Sequence, residues 1–536
     1  MLLQDYATRS ARARPDATAL VMGGARVSYD ELERTSNRLA RLLVGVGCGP
    51  GERVALCTEK SPEAVIAMLA VLKTGGAYVP IDTDSPAPRA ARILSAAEPR
   101  VVLASAAATG MLDALTGEGA LGDGVTVGAL GRSEIAGDSV RGSFSLAACD
   151  DQPDGPLDPV ADGDSIAHLL FTSGSTGVPK GVAIAHRNAT AFVDWAVSHY
   201  GTRAEDRISG HPPLHFDLST FDIYATFAAG AELHLVPAQT SLIPRVLAAF
   251  IRESELTQWF SVPSVLTFLA KFEVVEHRDF PALERLLWCG EVLPTPVLRH
   301  WMDRLPHVRF SNLYGPTEAT IASSYFDVPE RPADETEPIP IGTPCAGEEL
   351  LVLDDDLNET PAGEIGQLFI TGVGLSPGYW HDEQQTRAAF LPDPRRPESG
   401  DHIYRTGDLA RRSDDGLFHF LGRVDSQIKS RGYRIELGEI ETAVNAVDEI
   451  RESAIIGVET GGFEGTTICC AYSVRPGREL EAPQLRERLT AVLPKYMLPS
   501  RWAVLDGLPT NVNGKIDRPA LRALFERKAP EAETAA

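Results

Sequence analysis

Apolar residues in the first 100 positions alternate between the spacing of helices and the spacing of strands. Residues 28–31 have the spacing of a helix capping box, and apolar positions then recur at helical intervals to Val46. A second helix is predicted to begin at Ser61, because proline follows it at the first helical position. Short apolar runs at 53–56 and 77–81 predict strands. This alternation predicts parallel or mixed sheets covered by helices, which is an α/β fold.

The character of the sequence changes near residue 423. Before it, residues 105–165 are rich in Ala, Gly, Asp and Ser and predict irregular surface structure around weak elements. We predict a large N-terminal domain, residues 1–424, and a small α+β C-terminal domain, residues 425–536. The elements predicted in the small domain are strands at 454–458 and 468–472 and helices at 482–493 and 518–528.

The bulk composition is that of a soluble globular protein. The 536 residues are 43% hydrophobic and 23% charged, and no apolar run approaches the ~18 residues of a membrane span. The N-terminus lacks a basic region followed by an apolar stretch, and the seven cysteines form no CxxC pair. These features predict a reduced, cytoplasmic protein. The net charge of −24 argues against nucleic acid as a partner, since a phosphate backbone needs a basic face.

Lysine is scarce in this chain, because only 8 of the 50 basic residues are lysines. A lysine kept in an arginine-rich chain is expected to need its compact ammonium, which a planar guanidinium does not replace. Lys73, Lys180, Lys429 and Lys515 all fall in glycine-containing stretches. We expect them to lie beside phosphate or carboxylate sites, and Lys515, in the run 513–518, is the strongest candidate.

A loop rich in glycine and hydroxyl groups follows the apolar run 166–171. Its sequence is Thr172-Ser173-Gly174-Ser175-Thr176-Gly177-Val178-Pro179-Lys180-Gly181. Glycines let backbone N–H groups turn toward an anion, hydroxyls add donors and lysine adds charge. The spacing differs from that of a Walker loop, and a flexible linker is the alternative interpretation. The preceding strand and the Pro-Lys-Gly that follows favour a phosphate-binding loop.

Two further stretches carry groups suited to a nucleotide. The first stretch is Asn312-Leu313-Tyr314-Gly315-Pro316-Thr317-Glu318. It offers a ring that can stack on a base and a carboxylate that can bind Mg2+. In the second, Asp408 follows a turn glycine and is suited to hold ribose hydroxyls. Taken alone, an ordinary Gly-Pro turn and a turn-forming aspartate are the alternatives.

In this order the stretches resemble the adenylate-forming superfamily, and within it the adenylation domains of nonribosomal peptide synthetases. The resemblance runs from Val27 to Arg518. It also covers the runs at 27–32, 72–80, 216–219, 363–380, 422–441, 493–499 and 513–518. Phe420 stands where tyrosine is common, and Ser376-Pro377 where Ala-Arg is usual, but neither position supplies essential chemistry.

The resemblance implies two half-reactions, with ATP and Mg2+ as cofactors. A carboxylate attacks the α-phosphate of ATP, giving acyl-AMP and pyrophosphate. A phosphopantetheine thiol on a carrier protein then takes the acyl group as a thioester. Lys515 would bridge carboxylate and α-phosphate in the first step, and Lys429 with Gly432 would line the path of the incoming thiol in the second. The small, mobile domain would rotate about a hinge at Asp425 between the two steps.

The resemblance also assigns binding roles. Loop 172–181 would hold the leaving phosphates. Tyr314 would stack on adenine, Asp408 would hold the ribose and Glu318 would bind Mg2+. The full set of expected ATP- and AMP-binding residues is Thr172, Ser173, Gly174, Ser175, Thr176, Gly177, Lys180, Asn312, Tyr314, Gly315, Thr317, Glu318, Asp408 and Arg423.

Asp217 indicates that the acid is an amino acid. In this family an aspartate at this point pairs with the α-ammonium of the substrate, as a buried cation requires, whereas helix capping is the alternative. Aligned by motif, the other pocket residues are Leu218, Phe221, Phe260, Leu287, Cys289, Leu313, Ile321 and Ala322. None is charged or a strong hydrogen-bonding group, so a polar substrate side chain would stay unsatisfied. We predict a small apolar amino acid: alanine first, then glycine, 2-aminobutyrate, serine or a short β-amino acid.

The carrier is predicted to be a separate protein, because no carrier domain follows Arg518. Carrier proteins are usually acidic, so Arg486, Arg488, Lys495 and Arg501 are candidates for a docking patch, with a solvated helix face as the alternative. Neither a membrane nor a nucleic acid is expected as a partner. Alternative functions are a D-alanine–carrier ligase, a short β-amino-acid–carrier ligase and an acyl- or aryl-CoA ligase of the same superfamily. A non-catalytic nucleotide-binding protein is the alternative of another class.

Overall fold

A computed structural model describes residues 1–122, 124–135, 137, 142–174, 178–425, 427–459, 466–510 and 516–527. The chain forms two units. The first comprises Met1–Thr83, Ile93–Phe171 and Lys180–Val424, and the second comprises Asp84–Arg92, Thr172–Pro179 and Asp425–Ala536. Sheets covered by helices make up the larger unit, so the predicted α/β fold with a smaller C-terminal part is confirmed.

Strands and helices alternate along most of the chain up to Val424. The helices there are α1 (Leu3–Ala13), α2 (Tyr29–Gly45), α3 (Pro62–Lys73), α4 (Ala87–Ala97), α5 (Thr109–Gly117), α6 (His186–Tyr200), α7 (Leu218–Ala229), α8 (Pro244–Glu253), α9 (Pro263–Lys271), α10 (Thr295–Arg304) and α11 (Glu383–Ala389). The strands are β1 (Thr18–Met22), β2 (Ala25–Ser28), β3 (Arg53–Cys57), β4 (Ala77–Ile81), β5 (Val101–Ala104), β6 (Thr126–Ala129), β7 (Phe144–Ser145), β8 (Ile166–Thr172), β9 (Lys180–Ala185), β10 (Arg207–Gly210), β11 (Glu232–Leu235), β12 (Gln258–Ser261), β13 (Arg285–Trp288), β14 (Arg309–Tyr314), β15 (Ser324–Asp327), β16 (Thr343–Pro344), β17 (Glu348–Leu353), β18 (Ile365–Gly372), β19 (Gly378–Tyr379), β20 (Phe390–Pro392), β21 (His402–Arg412) and β22 (Phe418–Arg423).

These strands form three sheets within the described residues. One has the order β19-β9-β8-β4-β3-β5-β6-β7, and another the order β16-β15-β14-β13-β12-β10-β11-β1-β2. Both are parallel at their centres, where crossover connections place helices on the sheet faces. The third sheet, β17-β18-β21-β20 with β22 beside β21, is antiparallel.

Local sequence starts the first helices as predicted. Ser28 accepts a hydrogen bond from the backbone N–H of Glu31 (3.1 Å), and α2 follows it. Ser61 accepts one from the backbone N–H of Ala64 (3.1 Å), with proline in the first turn of α3. Every residue from Ala64 to Lys73 is buried, which is typical of a helix that is apolar on nearly all faces. Both predicted helix starts are confirmed.

The segment predicted to be irregular is more ordered than expected. Residues 105–165 include helix α5 and strands β6 and β7. Strand β6 pairs in parallel with β5 and with β7, which extends the sheet by two strands. These strands have four and two residues in a stretch rich in small residues. They are too short to carry a hydrophobic period from which they could be predicted.

The second unit contains a small α+β core. After residue 425 its described elements are β23 (Gln427–Ser430), β24 (Tyr433–Glu436), α12 (Leu437–Asn445), β25 (Ile450–Glu459), β26 (Thr466–Val474), α13 (Ala482–Thr490), β27 (Arg501–Val504) and α14 (Arg518–Arg527). The two predicted strands fall within β25 and β26, and the two predicted helices correspond to α13 and α14. No helix in the described part of the chain is long and apolar enough to cross a membrane.

Candidate active site

Tyr314, Asp408 and Arg423 meet in the first unit. Tyr314 ends β14, and Asp408 in β21 is the register partner of Arg423, which ends β22. The Tyr314 hydroxyl donates to Oδ2 of Asp408, and the Arg423 guanidinium donates to Oδ1 (2.5 Å). Burial raises the pKa of Tyr314 well above its ordinary value, and the charge of Asp408 raises it further. The structure therefore brings together three of the residues expected to hold adenosine.

The surroundings of Tyr314 fit a flat base and a diol. Phe420 lies with its ring centroid 6.4 Å from that of Tyr314, so its departure from tyrosine keeps an aromatic neighbour and removes only a hydroxyl. A carboxylate has about four lone-pair sites, so Asp408 can accept further hydrogen bonds from ribose hydroxyls. Asn312, expected at the same site, donates its side-chain amide to the carbonyl of Pro340 (2.8 Å).

Glu318 is a fully buried carboxylate. It lies in a short 3-10 turn, Thr317–Ala319, and the Tyr379 hydroxyl donates to its Oε1 at 2.8 Å. Nζ of Lys180 lies 5.1 Å from the centroid of the Tyr379 ring, which favours a cation–π contact. Tyr379 is a site residue that the sequence analysis did not name. Tyr379 belongs to the Gly-Tyr-Trp run in residues 363–380, which carry part of the family resemblance. That run is the sequence feature from which its role could be predicted.

The donor set around Glu318 fits magnesium. Mg2+ is usually held by one or two carboxylates together with phosphate oxygens and water. Among the described residues, no group of three His, Cys, Asp or Glu side chains could hold a metal ion. A single buried carboxylate at Glu318 therefore fits an ion whose remaining ligands come from nucleotide phosphates and water.

Asp217 occupies the N-cap position of α7 without capping it. Its side chain makes no capping hydrogen bond to the helix, and the residue is 9% exposed. The helix-capping interpretation of this aspartate is therefore wrong. A buried carboxylate that is not used for capping is suited to pair with a cation.

The apolar side chains predicted to line the pocket all belong to one buried core cluster. None is more than 8% exposed. The rings of Phe221 and Phe260 meet edge to face with centroids 5.3 Å apart. Sγ of Cys289 lies 3.8 Å from the carbonyl oxygen of Ile321, to which its thiol donates. The side chain of a ligand that entered this cluster would meet carbon and sulfur almost exclusively.

The short segment 314–322 contains residues predicted to bind the nucleotide, the residue predicted to bind Mg2+ and residues of the apolar cluster. Thr320 and Ile321 have positive φ angles of 56° and 73°, which β-branched residues rarely adopt. At Gly315 a Cβ would lie 2.5 Å from the Cα of Ala322, so this close approach requires glycine. Strained backbone held by its surroundings is typical of binding and catalytic sites.

Several of the predicted site residues lie in the second unit. Ser173 donates its hydroxyl to the carbonyl of Arg434 (2.7 Å), and Asp425 accepts from the backbone N–H of Gln427 (3.0 Å). Lys429 lies in β23 opposite Arg434 in β24. Thr172 and Gly174 flank Ser173. The remaining predicted residues, Ser175, Thr176, Gly177 and Lys515, lie outside the described part of the chain, and their roles stay predictions.

The basic residues predicted to dock a carrier are partly engaged within the second unit. Arg488 forms two hydrogen bonds with the Glu449 carboxylate (2.7 and 3.0 Å). Arg501 donates to the carbonyl of Phe525 and lies over its ring. These contacts leave Arg488 and Arg501 less available to a partner than the sequence suggested.

Comparison with known proteins identifies the family. The model of the AMP-binding enzyme family matches residues 7–380, and that of the AMP-binding enzyme C-terminal domain matches residues 439–515. The chain belongs to the AMP-binding enzyme family. The resemblance found in the motifs is thereby confirmed, and with it the prediction of an adenylate-forming enzyme.

Relatives within the AMP-binding enzyme family differ greatly in length. The L-proline--[L-prolyl-carrier protein] ligase of Pseudomonas fluorescens is 34% identical over 532 residues, 98% of this chain and 99% of the relative. Tyrocidine synthase 1 of Brevibacillus parabrevis is 34% identical over 95% of this chain, which spans only 44% of that protein. A Vibrio cholerae adenylation domain, AlmE, solved with glycyl-adenosine-5'-phosphate, has a TM-score of 0.84 at 25% identity over 98% of both chains.

Lys73 is not part of a phosphate site, contrary to the expectation from its glycine-rich surroundings. Its ammonium donates to Oε2 of Glu33 (2.8 Å), to the Ser36 hydroxyl (2.7 Å) and to Oδ1 of Asn37 (2.7 Å). The residue is buried against α2. The ammonium also lies 3.3 Å from the carbonyl oxygen of Glu33, so this lysine joins helices α2 and α3 through four acceptors on α2. The glycines after it reflect the turn into β4.

Lys73→Met should destabilise the protein without direct effect on chemistry. The substitution leaves the largely buried Glu33 carboxylate without its cation, which we expect to cost about 3–5 kcal/mol in the free energy of unfolding. Urea denaturation of the variant, of Lys73→Met/Glu33→Gln and of the exposed-site control Lys271→Met measures this. The double variant should recover part of the loss. A stable Lys73→Met protein with abolished activity would contradict the structural role.

Glu348 is a partly buried acid whose pKa is raised. It begins β17, and its Oε1 accepts the backbone N–H of Gly374 (2.6 Å). Burial raises its pKa from 4.5 to about 8, and the Gly374 N–H lowers it only in part. Since the folded state binds the Glu348 proton more tightly than the unfolded state, the contribution of Glu348 to stability is fully present below pH 4.5. It declines as pH rises toward 8.

Glu348→Gln should remove this pH dependence. Glutamine keeps the oxygen that accepts from Gly374 and never ionises. At pH 9 we expect the variant to be more stable than the parent by roughly 2–5 kcal/mol, and at pH 5 to match it closely. Urea denaturation of both proteins at pH 5, 7 and 9 is the measurement. Parallel stability curves across this range would show that Glu348 does not titrate as inferred.

Proposed function

We propose that this AMP-binding enzyme activates a small apolar amino acid as its aminoacyl-AMP and transfers it to the phosphopantetheine thiol of a carrier protein, in natural-product biosynthesis. The observation that carries the proposal is segment 314–322. It joins the Tyr314–Asp408 pair, the buried carboxylate of Glu318 and the apolar cluster. Buried Asp217 precedes the first residue of that cluster on α7 and supplies a partner for an ammonium.

In the first half-reaction, a carboxylate oxygen of the amino acid attacks the α-phosphorus of ATP. The bond from that phosphorus to the bridging oxygen breaks, and pyrophosphate leaves. Two anions must approach each other, so the protein's work is positioning and charge neutralisation. Tyr314 and Asp408 would orient the nucleoside, and Lys515 would meet the carboxylate and the α-phosphate. Mg2+ held by Glu318 would neutralise phosphate charge.

In the second half-reaction, the carrier's thiolate attacks the acyl carbon and AMP leaves. Lys429 would line the path of the phosphopantetheine arm after rotation about Asp425. The activity for which the Pseudomonas fluorescens relative is named, ligation of proline to a prolyl-carrier protein, supports this step. An artificially fused adenylation–PCP di-domain, NpsA–ThdA from Klebsiella oxytoca, with a TM-score of 0.79 at 25% identity, supports it as well.

For the substrate we place L-proline first and alanine second. The sequence alone favoured alanine, because the predicted pocket residues are apolar and leave little volume. The relative that matches end to end is named for L-proline, and the Vibrio cholerae domain holds a glycyl adenylate. Both are small and carry an amine that Asp217 can pair with. Proline's compact ring suits the apolar cluster better than a linear polar side chain does.

Amino-acid-dependent exchange of pyrophosphate into ATP tests the first half-reaction. The panel should contain glycine and both enantiomers of proline, alanine, 2-aminobutyrate and serine. It should also contain short β-amino acids, benzoate and a fatty acid. A maximum at proline or alanine supports the proposal. A maximum at a β-amino acid or D-alanine keeps the reaction class and changes the substrate. Exchange only with benzoate or the fatty acid overturns amino-acid activation and favours an acyl-CoA or aryl-CoA ligase.

Thioester formation with the preferred acid tests the second half-reaction. Loading of a phosphopantetheinylated carrier protein should greatly exceed loading of free coenzyme A. The apo-carrier, which lacks the thiol, is the matched control. Equal use of coenzyme A would assign the enzyme to the CoA ligases.

A further inference from the structure

Lys60 is a lysine whose ammonium holds the end of a central strand. It lies between β3 and α3, and its Nζ donates to the carbonyls of Gly210 (2.5 Å), His211 (2.6 Å) and Pro212 (3.2 Å). Three carbonyl acceptors match the three N–H donors of a charged ammonium. A neutral amine offers only two. The geometry therefore fits the charged form of Lys60.

The three carbonyls belong to the segment that leads into the amino-acid pocket. Gly210 ends β10, and seven residues later the chain reaches Asp217 and the start of α7. Phe221 of α7 packs edge to face on Phe260 of β12. Lys60 thus holds the end of β10. The chain continues from there to Asp217, the proposed partner of the substrate ammonium, and to Phe221 of the apolar cluster.

Asp222, an acid on α7, interacts electrostatically with Lys60. Asp222 is fully buried. Burial raises its pKa well above the ordinary value, whereas the charge of Lys60 and the backbone N–H of His211 lower it. Burial also lowers the pKa of the His211 imidazole to about 3, and the Lys60 charge adds to this effect. His211 is therefore neutral. Burial also lowers the pKa of Lys60, to about 7, and Asp222 raises it only in part, so the three carbonyl acceptors are the contacts that favour the charged form.

We propose that Lys60 is a positioning residue for the amino-acid half of the reaction, holding the segment 210–212 that leads into helix α7 and thereby fixing Asp217. The inference rests on the proposed function and adds a residue to it. The hydrogen bonds described for Lys60 all lie on the segment entering the pocket, whereas the nucleotide-facing set around Asp408 shares none of them. Loss of Lys60 should therefore act on the acid substrate and spare ATP.

The test separates the KM values of the two substrates in pyrophosphate exchange. Lys60→Met should raise the KM for the acid at least ~10-fold and change the KM for ATP less than ~2-fold. Lys60→Arg keeps the charge but presents a planar fork to the three carbonyls, so it should recover only part of the acid KM.

Lys73→Met is the matched control, because it removes another enclosed lysine that is held by side chains of α2 instead of the pocket segment. It should lower stability and leave the KM for the acid unchanged. If Lys60→Met lowers stability in the same way but leaves the acid KM unchanged, or raises both KM values equally, the positioning role is overturned. If Lys60→Met does not fold, Lys60→Gln, which also lacks the charge, decides, and a parental acid KM in that variant overturns the role.

The acid used is whichever one the exchange panel selects for the parent enzyme. An amine-free acid would overturn the proposed function, yet the Lys60 variants can still be compared with it, because α7 also carries Leu218 and Phe221 of the apolar cluster. Failure of the amino-acid proposal and failure of the Lys60 inference thus give different results.

Discussion

Replacing Asp217 by asparagine should reduce amino-acid-dependent pyrophosphate exchange by about 100- to 1,000-fold in kcat/KM. The carboxylate is buried and makes no capping hydrogen bond to α7, and we propose that its charge meets the substrate ammonium. Asparagine keeps the shape and removes the charge, which leaves a desolvated cation without a partner. Because Asp217 makes no side-chain cap to α7, the substitution removes no capping hydrogen bond from that helix.

A second measurement decides whether the loss comes from the ammonium itself. For the parent, an analogue without the amine, such as cyclopentanecarboxylate for proline or propionate for alanine, should be a far poorer substrate. In Asp217→Asn that preference should shrink, because the two changes remove partners of the same interaction and their effects do not add. The exposed-site variant Asp16→Asn serves as the control. Full amino-acid activity in Asp217→Asn would refute this account of the pocket.

The sequence predicts helices and strands correctly where the interactions that form them join residues close along the chain. Ser28 and Ser61 cap the helices that follow them, and the strands between have clear apolar runs. Loop motifs identified Tyr314 and Asp408, which the structure places in contact. In each case the residue type and its neighbours along the chain are sufficient, because capping and turn chemistry act over three or four residues.

Contacts distant in sequence could not be predicted in this way. Nothing near Lys60 marks it as the partner of carbonyls about 150 residues away, and nothing near Glu348 indicates that folding will raise its pKa. Lys73 was misjudged for the same reason. Its glycine neighbours resemble those of a phosphate loop, but its partners lie on another helix. Whether a lysine binds a ligand or a buried carboxylate is decided by tertiary packing.

The scarcity of lysine remains informative in a narrower sense. Lys60 and Lys73 each use all three N–H donors of a compact ammonium in an enclosed place, which arginine's planar fork fits poorly. An arginine-rich chain thus keeps lysine where geometry demands it. A compact ammonium is needed at structural positions inside the fold as well as beside a reacting phosphate.

Replacing Lys515 by alanine should abolish adenylate formation, with a loss on the order of 10³-fold in pyrophosphate exchange. Lys515 would neutralise charge where the carboxylate meets the α-phosphate, and its neighbours along the chain, Gly514 and Ile516, carry no charge that could replace it. Lys515→Arg should restore little, since a planar, longer cation does not occupy the position of an ammonium. Exchange is measured with the preferred acid, and exposed-site Lys271→Ala is the control.

Lys429→Ala should show the reverse pattern, because the two lysines are proposed to serve different half-reactions. Pyrophosphate exchange should be close to the parental rate, whereas loading of the carrier should fall. Supplying preformed aminoacyl-AMP bypasses the first step, so Lys515→Ala should then load the carrier almost normally and Lys429→Ala should not. If both variants fail in both assays, the lysines do not act in separate steps, and the rotation about Asp425 loses its main support. If the defects separate as expected, one small domain presents two different residues to the same substrate in turn.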